Sequence, residues 1–225
     1  MKFSNKKVII FDLDGTLIDS SPDLALAINH MLTSIGRDTF TLDEIHHWVG
    51  NGAQTLVKRA LSGSAEISSN IEIKEFENAL DIFLEFYAQN LAIKTLTYPH
   101  VLQTLSKLKE HGYKLAIVTN KPFDFVEPIL KALKLKEYFE FHLGGDSLKE
   151  KKPNPAPLLY VCDKLNVSID ECVMVGDSKN DILAAQACTM QSIGLTYGYN
   201  YGEHISIHNP DIYYSDFSEI AKLLC

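Results

Sequence analysis

Lys7-Val-Ile-Ile-Phe-Asp-Leu-Asp-Gly-Thr16 is the stretch that decides the fold of this chain. Its apolar run, from Val8 to Phe11, is rich in β-branched residues and stops at an acidic turn that contains a glycine. Short apolar runs of this kind are typical of parallel strands that are buried on both faces. The stretch therefore predicts a buried strand with a polar turn at its carboxyl end.

Similar apolar runs recur along the chain, and helical patterns lie between them. They occupy residues 114–119, 139–143, 172–176, 192–195 and 212–214. Strands that alternate with helices are connected by right-handed crossovers, which produce one parallel sheet with helices on both faces. The predicted fold class is therefore α/β, with a Rossmann-like parallel-sheet core.

The interval between the first two runs is about a hundred residues, far longer than a crossover needs, and it contains no strand-like run. Helix starts are indicated at Ser20-Ser-Pro-Asp23 and at the capping-box sequence Thr41-Leu-Asp-Glu44, and residues 73–91 carry a helical apolar period. A helical insert is therefore predicted. We expect residues 1–15 and 98–225 to form the α/β core and residues 16–97 to form a helical cap domain.

Composition and charge exclude several classes of partner. Hydrophobic residues make up 46% of the chain and charged residues 22%, and the formal net charge is −8. No basic field is available to hold nucleic acid or anionic lipid, and no apolar stretch approaches the roughly 18 residues that span a bilayer. We expect a cytoplasmic protein that binds neither nucleic acid nor membrane. The sequence does not distinguish a monomer from a homodimer.

Acidic residues follow two of the predicted strands. Asp12 and Asp14 are two apart at the end of the first strand, so their side chains point the same way, and Asp177 and Asp181 lie one helical turn apart after another strand. Helix capping explains each of them singly but not all four together. Four carboxylates at one sheet edge repel one another without a cation, and oxygen ligands favour Mg²⁺.

Other polar residues lie at strand ends and in the insert. Thr119 and Asn120 offer a hydroxyl and an amide to phosphate oxygens, and Lys152 precedes a rigid proline turn. Gly50-Asn-Gly52 predicts a tight turn whose amides can approach a substrate carboxylate, and Arg59 follows it. A plain interhelical turn and a solvated helix face are the alternative interpretations.

The chain resembles haloacid dehalogenase-type phosphatases with a helical cap in four motifs, which occur in the same order. They are Asp12-Leu-Asp-Gly-Thr-Leu-Ile-Asp19, Ile117-Val-Thr-Asn120, Lys152-Pro-Asn-Pro155 and Gly176-Asp-Ser-Lys-Asn-Asp181. The resemblance implies that Asp12 is the nucleophile that forms an aspartyl-phosphate and that Asp14 is first the general acid and then the base. The implied Mg²⁺ ligands are Asp12, the Asp14 carbonyl, Asp177 and Asp181, the last directly or through water. The implied phosphoryl-binding residues are Thr119, Asn120 and Lys152.

Further segments resemble bacterial phosphatases that act on 2-phosphoglycolate. They are residues 48–53, 119–122, 144–147, 151–157 and 196–202. Tyr98-Pro-His100 departs from the Tyr-Pro-Gly that is usual there, which affects the hinge and not the chemistry. We expect a Mg²⁺-dependent phosphatase for 2-phosphoglycolate, whose carboxylate lies near Gly52 and within reach of Arg59 or Lys121.

Three alternatives to this function remain open at this point. The first is a phosphatase for another small molecule, namely a sugar phosphate, a nucleotide or pyrophosphate. The second is a sugar phosphomutase of the same fold, because the four motifs determine phosphoryl chemistry and not the substrate. The third, a non-catalytic phosphate-binding module, is disfavoured because the reactive positions, above all Asp12, are intact.

Overall fold

The computed structural model describes residues 3–225, so residues 1 and 2 of the predicted core segment 1–15 lie outside the described residues. The strands are β1 (Val8–Phe11), β2 (Ile18–Asp19), β3 (Leu96–Thr97), β4 (Lys114–Val118), β5 (Phe141–Leu143), β6 (Cys172–Gly176), β7 (Gln191–Leu195) and β8 (Ile212–Tyr214). The helices are α1 (Ser21–Ser34), α2 (Leu42–His46), α3 (Ala53–Ser62), α4 (Ile73–Gln89), α5 (Val101–Glu110), α6 (Phe123–Ala132), α7 (Ala156–Leu165), α8 (Lys179–Ala187) and α9 (Glu219–Leu224). Within residues 3–225 no helix has the length and apolar character needed to cross a membrane.

Six strands form one sheet in the order β5-β4-β1-β6-β7-β8, and each neighbouring pair is parallel. The strand order runs outward in both directions from β1. The topological switch point therefore lies at the carboxyl end of β1, which is where open α/β sheets bind their ligands. The predicted α/β fold with a Rossmann-like parallel sheet is confirmed.

β1 lies at the centre of the core because both of its faces are covered. Its four side chains are 0% exposed. Ile9 and Phe11 pack into one hydrophobic cluster, whereas Val8 and Ile10 pack into the other, as expected for alternating sides of a strand. Full burial of a large apolar side chain contributes roughly 1.5–3 kcal/mol. This packing fixes the position of the acidic turn that follows the strand.

Helices α1 to α4 lie between β2 and β3 and pack together through buried apolar side chains such as Ile28, Val57 and Phe83. The capping box at the start of α2 is present, with Thr41 accepting a hydrogen bond from the Glu44 N–H. These helices are the predicted insert. The division into a core and a cap at residues 16–97 stays a prediction.

Two expectations are wrong in detail. The insert was expected to contain no strand, but β2 pairs with β3 in an antiparallel ribbon where the insert leaves and rejoins the core. Strands of two residues are too short to produce a recognisable sequence pattern. The sequence Asp216-Phe-Ser-Glu219 has the spacing of a capping box and predicts that the last helix starts at Asp216, but α9 begins at Glu219, and the Asp216 carboxylate accepts from the Ser218 N–H instead.

His100, the departure from the usual glycine, precedes α5 with a φ of +66°. This left-handed conformation costs a residue with a Cβ roughly 1–2 kcal/mol, whereas glycine adopts it freely. The departure therefore falls at a position where the backbone favours glycine.

Candidate active site

Three buried carboxylates meet at the carboxyl ends of β1 and β6. Asp12 follows β1, Asp177 follows β6, and Asp181 lies in the first turn of α8. One oxygen from each lies within 4.8 Å of the others. The Asp12 N–H donates to Val175 O at 3.0 Å, which continues the pairing of the two strands. The parallel register therefore brings Asp12 next to two carboxylates that follow it by more than 160 residues in the sequence.

Burial and mutual repulsion raise the pKa of two of these carboxyl groups. Burial raises the pKa of Asp12 to about 7, with Lys152 opposing the shift and Asp181 adding to it. Burial, together with the charges of Asp181 and Asp12, raises the pKa of Asp177 well above its usual range. A divalent cation would offset both effects, and carboxylate oxygens are ligands that Mg²⁺ prefers. The chemistry of this donor set therefore fits Mg²⁺.

Asp177 is oriented by contacts that sequence reasoning missed. Thr16 Oγ1 donates to its Oδ1 at 2.6 Å, and the Tyr199 N–H donates to its Oδ2 at 2.6 Å. A Cβ at Gly15 or at Gly198 would overlap this carboxylate, and Gly15 also has a φ of +89°. Glycine at these two positions leaves room for Asp177 to lie against the acidic turn.

Lys152 is the cation of the carboxylate cluster. Its ammonium is almost fully buried and lies 2.6 Å from Asp181 Oδ1 and 3.0 Å from Asp12 Oδ1. Burial lowers the pKa of Lys152, but the charges of Asp12 and Asp181 outweigh burial and raise it above its usual value. The ammonium therefore stays charged beside the carboxylate that is predicted to be the nucleophile.

The two polar residues after β4 are both buried near this cluster. Asn120 Nδ2 donates to Lys152 O at 3.1 Å and to Gly50 O at 3.3 Å, while its Oδ1 is buried and has no hydrogen-bond partner within residues 3–225. Thr119 Oγ1 accepts from the Lys121 N–H at 3.2 Å. Asn120 thus ties the loop that carries Lys152 to the glycine turn between α2 and α3.

Asp14 does not belong to the group of three carboxylates. Ser20 Oγ donates to its Oδ1 at 2.6 Å, and Lys121 Nζ donates to the same oxygen at 3.1 Å. Lys121 Nζ also donates to Tyr87 Oη at 2.8 Å. The two aspartates that leave β1 therefore have different surroundings, and their roles in catalysis stay predictions.

A small cavity of about 40 Å³ lies between these residues and the insert. The core lines it with Asp12, Asp14, Thr119, Asn120 and Lys121. The insert supplies Gly50 and Gly52, apolar side chains from α1, α3 and α4, and the hydroxyl of Tyr87. Gly52 thus lies at the cavity, and substrate binding by its backbone stays a prediction.

Arg59 is the one predicted site residue that the structure brings neither to the cavity nor to the carboxylates. Its Nη1 donates to Trp48 O at 2.6 Å and its Nε donates to Ala65 O at 3.0 Å, while the guanidinium lies 5.1 Å from the centre of the Tyr201 ring. The two hydrogen bonds lie within the insert, whereas the contact with Tyr201 joins the insert to the core. Substrate binding by Arg59 stays a prediction that this geometry does not support.

Tyr87 is the cavity residue that sequence reasoning interpreted differently. The pattern assigned it to the apolar face of the third predicted helix, where it does pack between Phe83 and Phe125. Its hydroxyl reaches Lys121, which no local pattern indicates because the two residues are 34 positions apart. In the sequence, the partner Lys121 stands out only as part of the segment Thr119-Asn-Lys-Pro122.

Fold and site together define a hydrolase class. The family model of haloacid dehalogenase-like hydrolases matches residues 9–195, and the chain belongs to this family. The resemblance seen in the four motifs is therefore confirmed.

Several proteins within this family are similar to the chain over nearly its full length. A protein of Colwellia psychrerythraea named phosphoglycolate phosphatase is 52% identical over 98% of this chain and 97% of its own length. Another of the same name, from Psychrobacter arcticus, is 49% identical over 98% of this chain and 96% of its own. A crystal structure of a predicted phosphoglycolate phosphatase from Haemophilus somnus superposes with a TM-score of 0.93 at 42% identity and covers 99% of both chains.

Proposed function

We propose that this hydrolase is a Mg²⁺-dependent phosphatase that converts 2-phosphoglycolate to glycolate and phosphate. The observation that carries the proposal is the placement of Asp12, which lies beside Lys152 and two further carboxylates and also lines a small cavity. The names of relatives that are 42–52% identical to this chain support the choice of substrate.

In the first half of the reaction, a carboxylate oxygen of Asp12 attacks phosphorus. A bond from Asp12 to phosphorus forms as the bond from phosphorus to the ester oxygen breaks, and the departing glycolate oxygen takes a proton from the Asp14 carboxyl. In the second half, Asp14 accepts a proton from water as that water attacks the phosphoryl group and releases Asp12. Covalent catalysis thus divides one difficult displacement into two easier ones.

Positive charge and hydrogen-bond donors surround the transferring group in this proposal. Lys152 stabilises the attacking carboxylate and the phosphoryl oxygens, and the Thr119 hydroxyl and the Asn120 backbone N–H donate hydrogen bonds to the same oxygens. The metal would be held by Asp12, Asp177, Asp181 and the Asp14 carbonyl. When bound, Mg²⁺ supplies charge that stabilises the phosphoryl oxygens in the transition state.

The helical insert acts as the cap in this proposal. Leu24 of α1, Leu56 of α3 and Phe83 of α4 line the cavity with apolar side chains. Apolar cover of this kind excludes water from the reacting groups and strengthens their electrostatic interactions. Residues 16–97 then form the cap domain and residues 1–15 and 98–225 the catalytic core of a cytoplasmic enzyme.

A panel of phosphate esters tests the proposal. Phosphate release is measured for 2-phosphoglycolate, hexose phosphates, nucleotides and pyrophosphate, with the Asp12→Asn protein as the control for contaminating phosphatase. We expect 2-phosphoglycolate to have the highest kcat/KM. A tenfold preference for a hexose phosphate, or an isomerised sugar phosphate among the products, would replace this function by one of its alternatives.

A further inference from the structure

Of the described residues, 3–225, Lys121 is the only cation that lines the cavity. Its side chain is 3% exposed. A lysine side chain is positively charged at neutral pH, and this ammonium lies 3.1 Å from Asp14 Oδ1. The cavity therefore presents a permanent positive charge that is separate from Lys152 and the carboxylate cluster.

Tyr87 adds a hydrogen-bond donor at the same place. Its hydroxyl oxygen accepts from Lys121 at 2.8 Å, and its own hydrogen is given to no acceptor among residues 3–225. The residue is 1% exposed, and burial raises its pKa to about 12, so the phenol keeps its hydrogen at neutral pH. Buried donors normally have an acceptor. An ammonium and a phenol hydrogen side by side suit an anionic oxygen ligand.

The surroundings of this pair limit what the ligand can be. Leu24, Phe83 and Phe125 line the cavity around it, and these side chains offer no polar contact to a sugar hydroxyl. Lys121 Nζ lies 3.1 Å from Asp14 Oδ1, the group that protonates the ester oxygen in the proposed mechanism. Because these two groups are in contact, a substrate with a short link between its ester oxygen and its anionic group can reach both of them, and a link of one carbon is the shortest.

We infer that Lys121 and Tyr87 form a carboxylate subsite that selects phosphate esters whose carboxylate is attached to the carbon bearing the ester oxygen. The inference rests on the proposed function and gives it a structural reason, because 2-phosphoglycolate has this arrangement. The subsite joins two parts of the chain, since Lys121 follows β4 and Tyr87 belongs to α4. It is complete only while α4 packs against the core.

Neither of the other nearby cations takes this role. Arg59 is engaged by carbonyl groups of the insert, as described above. Lys151 Nζ donates to Asn51 O at 2.8 Å and does not line the cavity. Lys58 Nζ lies 4.7 Å from the centre of the Phe76 ring, on another side of α3, and serves as a control for the loss of a lysine charge from the insert.

The experiment compares substrates that differ in one group. 2-Hydroxyethyl phosphate replaces the carboxylate of 2-phosphoglycolate by an uncharged hydroxymethyl group, and the phosphate ester of 3-hydroxypropionate moves the carboxylate one carbon away. The readout is the ratio of kcat/KM for 2-phosphoglycolate to that for each analogue. It is measured in the wild-type protein and in the Lys121→Met, Tyr87→Phe and Lys58→Met variants.

We expect Lys121→Met to lower the ratio to 2-hydroxyethyl phosphate roughly 10- to 100-fold, the usual worth of a charged hydrogen bond. Tyr87→Phe keeps the ring packing and removes one neutral donor, so a loss of about 3- to 10-fold is expected. Lys58→Met should leave the ratio unchanged. The wild-type protein should also prefer 2-phosphoglycolate to the longer ester.

The outcomes separate this inference from the proposed function. Equal losses on both substrates in Lys121→Met, together with an unchanged ratio in Tyr87→Phe, would mean that Lys121 acts only through Asp14, and the subsite would be wrong. Equal turnover of the longer ester by the wild-type protein would overturn the spacing argument. If the wild-type protein does not favour 2-phosphoglycolate in the panel at all, the proposed function fails whatever the variants do.

Discussion

The two sides of the cavity are built from different kinds of residue. The core side carries charged and hydrogen-bonding groups at the ends of β1 and β4, where the parallel register fixes them. The side formed by the insert is apolar apart from backbone groups and the Tyr87 hydroxyl. In the proposed mechanism the reacting groups therefore come from the strand ends, whereas the choice of substrate is shared between Lys121, which follows β4, and the helices packed over it.

The strongest test of the core side is the loss of its nucleophile. Asp12→Asn keeps the size of the side chain but replaces the attacking carboxylate by an amide, so we expect kcat to fall roughly 10⁴-fold or more. The exposed Asp163→Asn on α7 controls for the loss of an aspartate charge. Turnover near the wild-type rate in a preparation free of other phosphatases would contradict covalent catalysis by Asp12.

Removal of the metal should also abolish the reaction. We expect EDTA to silence the enzyme, Mg²⁺ to restore it and Ca²⁺ to fail, because Ca²⁺ prefers looser and higher coordination. Asp177→Asn removes one carboxylate charge and should raise the Mg²⁺ concentration for half-maximal activity about 10- to 100-fold. Phosphate release against metal concentration measures both effects. Full activity after exhaustive chelation would show that the three carboxylates do not hold a required cation.

A change on the insert side should alter selection and not chemistry. Leu24 is 6% exposed and lines the cavity. Leu24→Ala enlarges the cavity, so we expect kcat/KM for the phosphate ester of lactate, which carries one more methyl group, to rise about 10-fold relative to 2-phosphoglycolate. The exposed Leu42→Ala of α2 is the control. An equal decrease in kcat/KM for both esters in Leu24→Ala, with their ratio unchanged, would show that this side chain of the insert does not select the substrate.

The sequence predicts the core side of the cavity more completely than the side formed by the insert. β1 and β6 are continuous apolar runs followed by acids, so both the strands and the meeting of Asp12 with Asp177 and Asp181 could be predicted from topology. The sequence predicts that the insert is helical, but it does not predict which of its side chains line the cavity. Tyr87 follows the same apolar period as its neighbours, and Arg59 follows a glycine turn, yet only tertiary packing decides which of the two side chains reaches the cavity.

The smallest predicted effect concerns His46, where the insert meets the core. Its Nδ1 lies 3.2 Å from Ser21 Oγ, and its ring packs edge-on against Tyr199. Burial lowers the pKa of His46, with Asp19 opposing the shift. The unfolded chain therefore binds the proton more readily, so stability is greatest above the unfolded pKa of about 6.5 and falls as the pH drops through the folded pKa.

Thermal unfolding between pH 7.5 and pH 5 measures this effect. Because the His46 ring is only half-buried, we expect its protonation to lower Tm by roughly 1–2 °C over this pH range. His46→Gln should remove that part of the decrease, whereas His111→Gln, at the solvent-exposed end of α5, should retain it. An identical pH profile in His46→Gln would exclude His46 as the source.

Direct detection of the phosphoenzyme tests the central claim that the end of β1 performs the chemistry. Asp14→Asn removes the residue that activates water, so the second step slows within the 10²–10⁴-fold range of general base catalysis, while an aryl phosphate needs little help from an acid in the first step. Acid quenching of this variant with an aryl phosphate, followed by mass spectrometry of its peptides, should find one phosphoryl group per chain, on the peptide that contains Asp12. Steady turnover with no covalent phosphate at any time, or a phosphoryl group on another residue, would contradict the account.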